Sequence, residues 1–264
     1  MLTLTPLLNI PNIRQGDDLT DVILQALQDT RVALQDGDIL VLAQKIVSKS
    51  EGRTVNLRTI TPSSRAIELA QITEKDPRLL ELILRESNQV LRTRPGTIIV
   101  EHNLGFVCAN AGIDHSNVNP PGSILDSELH ENMNTDYWVL LLPENPDRSA
   151  SQIREKIERS TDTRIGVLII DSHGRAWREG SVGISIGISG LPALADFRGI
   201  PDLFGYRLRI TQVGVADELA AAASLVMGQA AEGIPVVHVR GFPYSLREGK
   251  LPELLRPKEK DLFR

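Results

Sequence analysis

The chain has 264 residues, 41% of them hydrophobic and 24% charged, which is enough to enclose a sizeable core and is ordinary globular composition. A formal net charge of -5 excludes broad electrostatic adhesion to nucleic acid or anionic membrane, so an anionic substrate must be met by local clusters of Lys and Arg. One cysteine, Cys108, excludes an internal disulfide and any multi-cysteine metal site. Its apolar setting, Gly105-Phe-Val-Cys-Ala109, predicts a buried structural thiol. The N-terminus has no basic stretch leading into a sustained apolar run, and no window approaches the roughly 18 apolar residues of a membrane span. A cytoplasmic protein with no membrane or nucleic-acid partner is expected.

In chain order, residues 2–8 alternate weakly as a strand and lead into the loop 9–13. Asp17 or Asp18 then caps a helix whose apolar face is Leu19, Val22, Ile23, Ala26 and Leu27. Asp36-Gly37-Asp38 reads as a turn and 39–43 as a short buried strand. A helix is predicted from Pro62-Ser-Ser64 to about Ile72, and another from Asp76-Pro77 onward. Residues 97–100 and 106–109 read as a strand pair. The polar stretch of about 119–136 is expected to be a long surface loop. Strand 137–142, a helix starting at Ser149 or Ser151, and strand 165–170 suggest a βαβ-like unit.

In 181–190, apolar residues alternate with Gly or Ser, which allows another backbone or a ligand to approach closely. Gly183-Ile-Ser-Ile-Gly187 matches the nucleophile-elbow pattern literally. It lies in a strand with no turn into a helix, so a hydrolase reading is rejected. A strand at 208–213, an Ala-rich helix from Ala216 to about Gln229 and a strand at 235–240 complete an α+β reading with mixed sheets and flanking helices.

Two carboxylates stand where strands hand over to loops: Asp114 in 110–117 and Asp171 in 169–174. Rigidly held yet open to solvent, they suit Mg²⁺ or Mn²⁺, whose ligands are oxygens; capping a turn is the other common role of such an Asp. Lys45 and Lys49, near Ser48, Ser50 and Gly52, either cradle phosphates or form a solvated basic loop; the segment lacks the ending of a P-loop. His115 and His173 each neighbour an acidic motif, and a solvated loop position is the commoner role for such a residue. At 227–235, helix capping by Gly233 is expected.

Read together, seven segments resemble one family, the gamma-glutamyl ligases of coenzyme F420-0, from Ile10 to about Gly241. They are Ile-Pro-Asn-Ile-Arg-Gln-Gly-Asp-Asp-Leu (10–19), Asp-Gly-Asp-Ile-Leu-Val (36–41), Ile-Val-Ser-Lys-Ser-Glu-Gly-Arg (46–53), Asn-Ala-Gly-Ile-Asp-His-Ser-Asn-Val (110–118), Ile-Asp-Ser-His-Gly-Arg (170–175), Gly-Ile-Ser-Gly (187–190) and Met-Gly-Gln-Ala-Ala-Glu-Gly-Ile-Pro (227–235). Several long motifs in order are far more specific than any one of them. The resemblance implies a single ligase domain over 1–264, built of two intertwined sub-domains, forming a homodimer and carrying no appended reductase domain.

For function, the resemblance implies that GTP drives an amide bond between L-glutamate and coenzyme F420-0 through an acyl phosphate. Two divalent cations, Mg²⁺ or Mn²⁺, would assist, with K⁺ as a helpful monovalent ion. Matched motif to motif, Asp114 and Asp171 would hold the first metal, and Ser172 and Gln229 would serve the second. GTP would be surrounded by Ile10, Pro11, Asn12, Ile13, Gln44, Lys45, Lys49, Asn117, Met227, Gly228, Gln229, Ala230, Ala231, Glu232, Gly233 and Ile234. Asp114, Asp171 and Lys49 would be the catalytic groups. The chain departs from the family pattern at Ser172, where Thr is frequent, at Gln229, where Glu is frequent, and at Gln44-Lys45, where archaeal members have a small hydroxyl pair. Two alternatives remain at this level: a ligase of the same fold with another carboxylate acceptor, and a nucleotide-binding module without turnover.

Overall fold

A computed structural model describes residues 1–118 and 137–262; the expected loop at 119–136 falls outside them. The first half runs β1 (Thr3–Pro6), α1 (Leu19–Asp29), β2 (Ile39–Ala43), α2 (Gln44–Ser50), β3 (Thr54–Asn56), α3 (Ser64–Thr73), α4 (Pro77–Arg85), β4 (Ser87–Arg94), β5 (Thr97–His102) and β6 (Val107–Ala109). The second half runs β7 (Trp138–Leu140), α5 (Pro146–Thr161), β8 (Gly166–Arg175), β9 (Arg178–Ser189), β10 (Ala195–Asp196), β11 (Gln212–Val213), α6 (Val215–Met227) and β12 (Val236–Arg240). The main sheet has the order β1-β12-β2-β8-β9, and small sheets β4-β5-β6, β3-β7 and β10-β11 lie apart from it. The α+β reading holds.

In the main sheet β2 and β8 are parallel neighbours and the other pairs are antiparallel. Side chains alternate across a strand, so both faces can be buried. Leu40, Leu42, Val167 and Ile169 enter one core with Ile23, Ala26, Ile153 and Ile157 from α1 and α5. Ile39, Val41, Leu168 and Ile170 enter a second core with Leu219, Ala220 and Ala223 from α6. Burial on both faces explains why β2 and the first half of β8 read as unbroken apolar runs.

The alternating Gly and Ser of β9 seat helices from the same chain. A Cβ on Gly183 would lie 2.6 Å from the Ala220 carbonyl oxygen in α6, and one on Gly187 would lie 2.6 Å from the backbone of Pro146, where α5 begins. Relative to β8, β9 carries one extra residue at Ile186, between the pairs Ile169–Gly187 and Ile170–Ser185. Such a bulge shifts the alternation, so the two glycines meet helices on opposite faces of the sheet. Close approach was expected here, and its object is intramolecular.

Several expected boundaries move. Residues 44–50 form a helix, not a loop. Helix α5 starts at Pro146 with Asn145 as its side-chain cap, ahead of Ser149. Helix α6 stops at Met227 with Gly228 closing it, so Gly233 caps no helix. The βαβ-like unit is absent, because β7 pairs with β3 while β8 pairs with β2 in another sheet. Strand β4 was not foreseen: Ser-Asn-Gln-Val-Leu-Arg-Thr-Arg is largely polar, and its hairpin with β5 is broken by two register shifts, so no clean alternation marks it. The 208–213 strand contracts to two residues of β11. Asp18 caps α1 through Thr20 N–H as one of the two expected candidates.

Asp38 pins β12 to β2. Its buried carboxylate accepts from His238 Nε2 at 2.8 Å, from Arg240 Nε and Nη2 at 2.9 and 2.7 Å, and from Gln35 N–H at 2.9 Å. Burial alone would push this carboxyl up, but the hydrogen bonds from Arg240 and His238 outweigh it and hold it below the ordinary carboxylate range. A depressed folded pKa contributes stability that is present above the unfolded value of about 3.9 and is lost as pH falls through the folded value. Asp38→Asn is expected to lower unfolding stability at pH 7 by about 3 kcal/mol, as when one partner of a buried ion pair is removed. In urea titrations the gap to wild type should narrow below about pH 4; a gap that does not change with pH would refute this reading.

Candidate active site

Helix α2 leaves the end of β2 and carries Gln44, Lys45 and Lys49. Ser48, one turn beyond Gln44, donates from Oγ to Gln44 Oε1 at 2.8 Å, which leaves the Gln44 amide to donate from Nε2 to Asp114 Oδ2 at 2.9 Å. Lys45 Nζ reaches Asp114 Oδ2 at 3.3 Å and also donates to the Ser116 carbonyl and hydroxyl at 2.9 and 2.8 Å. Asp114 itself is delivered by a left-handed turn in which Asn110, Ala111 and Gly112 have φ of 52°, 54° and 65°. Such conformations are costly for non-glycine residues. Mutual backbone hydrogen bonds between Asp114 and Leu140 then fix the segment to β7.

Asp171 lies inside β8 and not at its end, one residue past the last pairing with β2, Ala43–Ile170. Its Oδ2 is 2.8 Å from His173 Nε2. His173 is therefore buried and paired, not solvated; His115 is exposed and lies off the cavity wall. Next to Asp171, Ser172 donates from Oγ to Gln229 Oε1 at 2.9 Å, while Gln229 Nε2 donates to Ser224 Oγ at 2.9 Å. Asn117, with φ of 57°, donates from Nδ2 to the Ala230 carbonyl at 3.0 Å and ties the Asp114 segment to the turn after α6.

These segments enclose a cavity of about 660 Å³, within the range of small-molecule sites. Every residue singled out above for nucleotide or metal lines it: the 10–13 loop, Gln44, Lys45, Lys49, Asp114, Asn117, Asp171, Ser172 and the run 227–234. Sequence reasoning gave no role to Ser116 and Ser224, which also line it. Ser116 sits within a quoted motif, two residues after Asp114; Ser224 sits in an Ala-rich helix where no local pattern marks it.

Burial raises the Asp114 carboxyl, and the nearby negative charge of Asp171 raises it further. Burial, then the neighbouring Lys45 ammonium, pulls Lys49 down. Burial and Asp171 push the Cys108 thiol up to about 12, which keeps it inert as expected of a buried structural cysteine. Among the described residues no three His, Cys, Asp or Glu side chains gather as a metal centre. What the wall offers is oxygen: two carboxylates close enough to repel, a hydroxyl and an amide carbonyl. That set fits a hard divalent cation that keeps several of its waters.

The family model described as F420-0:Gamma-glutamyl ligase matches residues 7–241. A protein named Coenzyme F420:L-glutamate ligase from Methanothermobacter thermautotrophicus is 45% identical over 257 residues, covering 97% of this chain and 96% of that one. Relatives of the same name from Methanocaldococcus jannaschii and Archaeoglobus fulgidus are 43% and 41% identical, and each match covers at least 97% of this chain and 95% of the relative. With the match running through every segment of the cavity wall, the chain belongs to the F420-0:gamma-glutamyl ligase family.

Proposed function

We propose that the protein is a GTP-dependent ligase that forms an amide bond between L-glutamate and coenzyme F420-0. The observation that carries this reading is the convergence, in one cavity, of an acidic pair and two lysines from segments far apart in a chain of this family. A carboxylate is a poor acyl donor because its leaving group would be oxide. Transfer of the GTP γ-phosphoryl group to the acceptor carboxylate gives an acyl phosphate and GDP. The glutamate amine then attacks the acyl carbon, phosphate departs, and the amine proton is lost as the amide forms.

No protein nucleophile takes part; the wall binds, orients and balances charge. Lys49 offsets phosphate charge, Asn117 and the 227–234 turn hold the nucleotide against the 10–13 loop, and Gln44 and Lys45 fix Asp114. Asp114 and Asp171 would hold one divalent cation, Mg²⁺ or Mn²⁺, and Ser172 and Gln229 a second; bound there, such ions neutralise phosphate charge. A homodimer belongs to the same reading. No helix among the described residues is long and apolar enough to cross a membrane.

Mass spectrometry of reactions containing F420-0, glutamate, Mg²⁺ and either GTP or ATP is expected to show a glutamylated product, formed much faster with GTP. Equal rates would remove the nucleotide assignment, and glutamylation of another carboxylate acceptor alone would remove the substrate. Light scattering should give a dimer of the 29.1 kDa chain at micromolar concentration; a monomer would contradict the assembly. Asp114→Asn and Asp171→Asn should each abolish ligation. For Asp114 the melting temperature should stay near wild type or rise, because a carboxyl pushed up by burial and a like charge destabilises the folded state at neutral pH. Activity within about tenfold of wild type in both variants at saturating Mg²⁺ would sink the metal assignment, since Mg²⁺ held by one or two carboxylates depends on each.

A further inference from the structure

Behind Asp171 lies a histidine that the mechanism does not use. His173 is two residues further along β8, on the same face, but whereas Asp171 lines the cavity His173 does not. Its side chain is only 7% exposed. The ring packs against Phe106, with centroids 5.3 Å apart, and Phe106 stacks on the buried ring of His102 at 5.2 Å. Nε2 is 2.8 Å from Asp171 Oδ2, and Nδ1 is buried with no hydrogen-bond partner among the described residues.

The Nε2–Oδ2 distance fixes the role of Nε2. A bare Nε2 would set its lone pair against a carboxylate oxygen, so Nε2 carries a proton and donates it to Oδ2. Hydrogen bonds and ion pairs to Asp171 among the described residues fall on Oδ2, so Oδ1 is the oxygen left for the cavity.

We propose that His173 is a positioning residue: its Nε2–H holds Asp171 Oδ2 and turns the carboxylate so that its other oxygen meets a divalent cation in the cavity. The Phe106–His102 stack behind it keeps the imidazole from rotating away. Partners of this kind set the orientation of metal-binding carboxylates, and their removal typically weakens the metal by about 10–100-fold. The inference rests on the proposed role of Asp171 as a cation ligand.

The test is titration of the intact protein with Mn²⁺ in the presence of GDP, with free Mn²⁺ read by electron paramagnetic resonance, alongside thermal midpoints. His173→Leu keeps an apolar side chain but removes the donor, and is expected to weaken Mn²⁺ by about tenfold or more. His173→Gln returns an N–H at similar reach and is expected to recover binding to within about threefold of wild type. Equal weakening in both variants, or none in His173→Leu while Asp171→Asn loses Mn²⁺, would overturn the positioning role and leave the Asp171 assignment standing. Wild-type-like Mn²⁺ binding by Asp171→Asn, or no binding by the wild type, would overturn both.

Discussion

The site exists because β2 and β8 part company. They run parallel from Ile39–Gly166 to Ala43–Ile170 and are buried on both faces, so their direction is fixed by two cores. Past the last pair, β2 turns at once into α2, while β8 continues, paired among the described residues only with β9. The opening between them is a crevice outside the carboxyl ends of parallel strands, the usual place for a ligand in such sheets. Gln44 and Lys45 stand on one lip and Asp171 and Ser172 on the other. The 110–118 segment, fixed to β7, brings Asp114 across the gap.

Charge sets the second condition. Burial and the charge of Asp171 raise the cost of ionising Asp114, and burial and the charge of Lys45 make Lys49 harder to keep charged. The Lys45–Asp114 contact relieves one member of each pair. The site therefore holds like charges together by geometry, which is how a pocket gathers an anionic ligand together with a counter-ion although the whole chain is negative.

Hydroxyl and amide groups set its shape. Ser48 orients Gln44, Ser224 orients Gln229, and His173 faces Asp171. Ser48 and His173 are buried and sit behind residues that face the cavity, whereas Ser224 lines the wall itself. A substitution at Ser48 or His173 would change the site without touching a ligand.

Sequence alone established the elements whose signal is local. The capped amphipathic face of α1, Pro77 opening α4, the apolar runs of β2 and β8, and the small-residue strand β9 were all legible, because period, caps and turns are properties of neighbouring residues. The motifs that carry the family resemblance also singled out most of the residues that line the cavity, though not Ser116 or Ser224. What it could not decide depends on partners distant in the chain. The Lys45–Lys49 segment looks like a polar loop until Gln44 and Ser48 pair across one helical turn. The pattern Asp171-Ser-His173 does not say whether the histidine meets water or carboxylate; burial under Phe106, 67 residues earlier in the chain, settles that. The glycines of β9 announced a close approach, but only the bulge at Ile186 and the packing of α5 and α6 named what approaches. Tertiary structure alone made these choices, because side-chain environment is set by long-range contacts that no local pattern encodes.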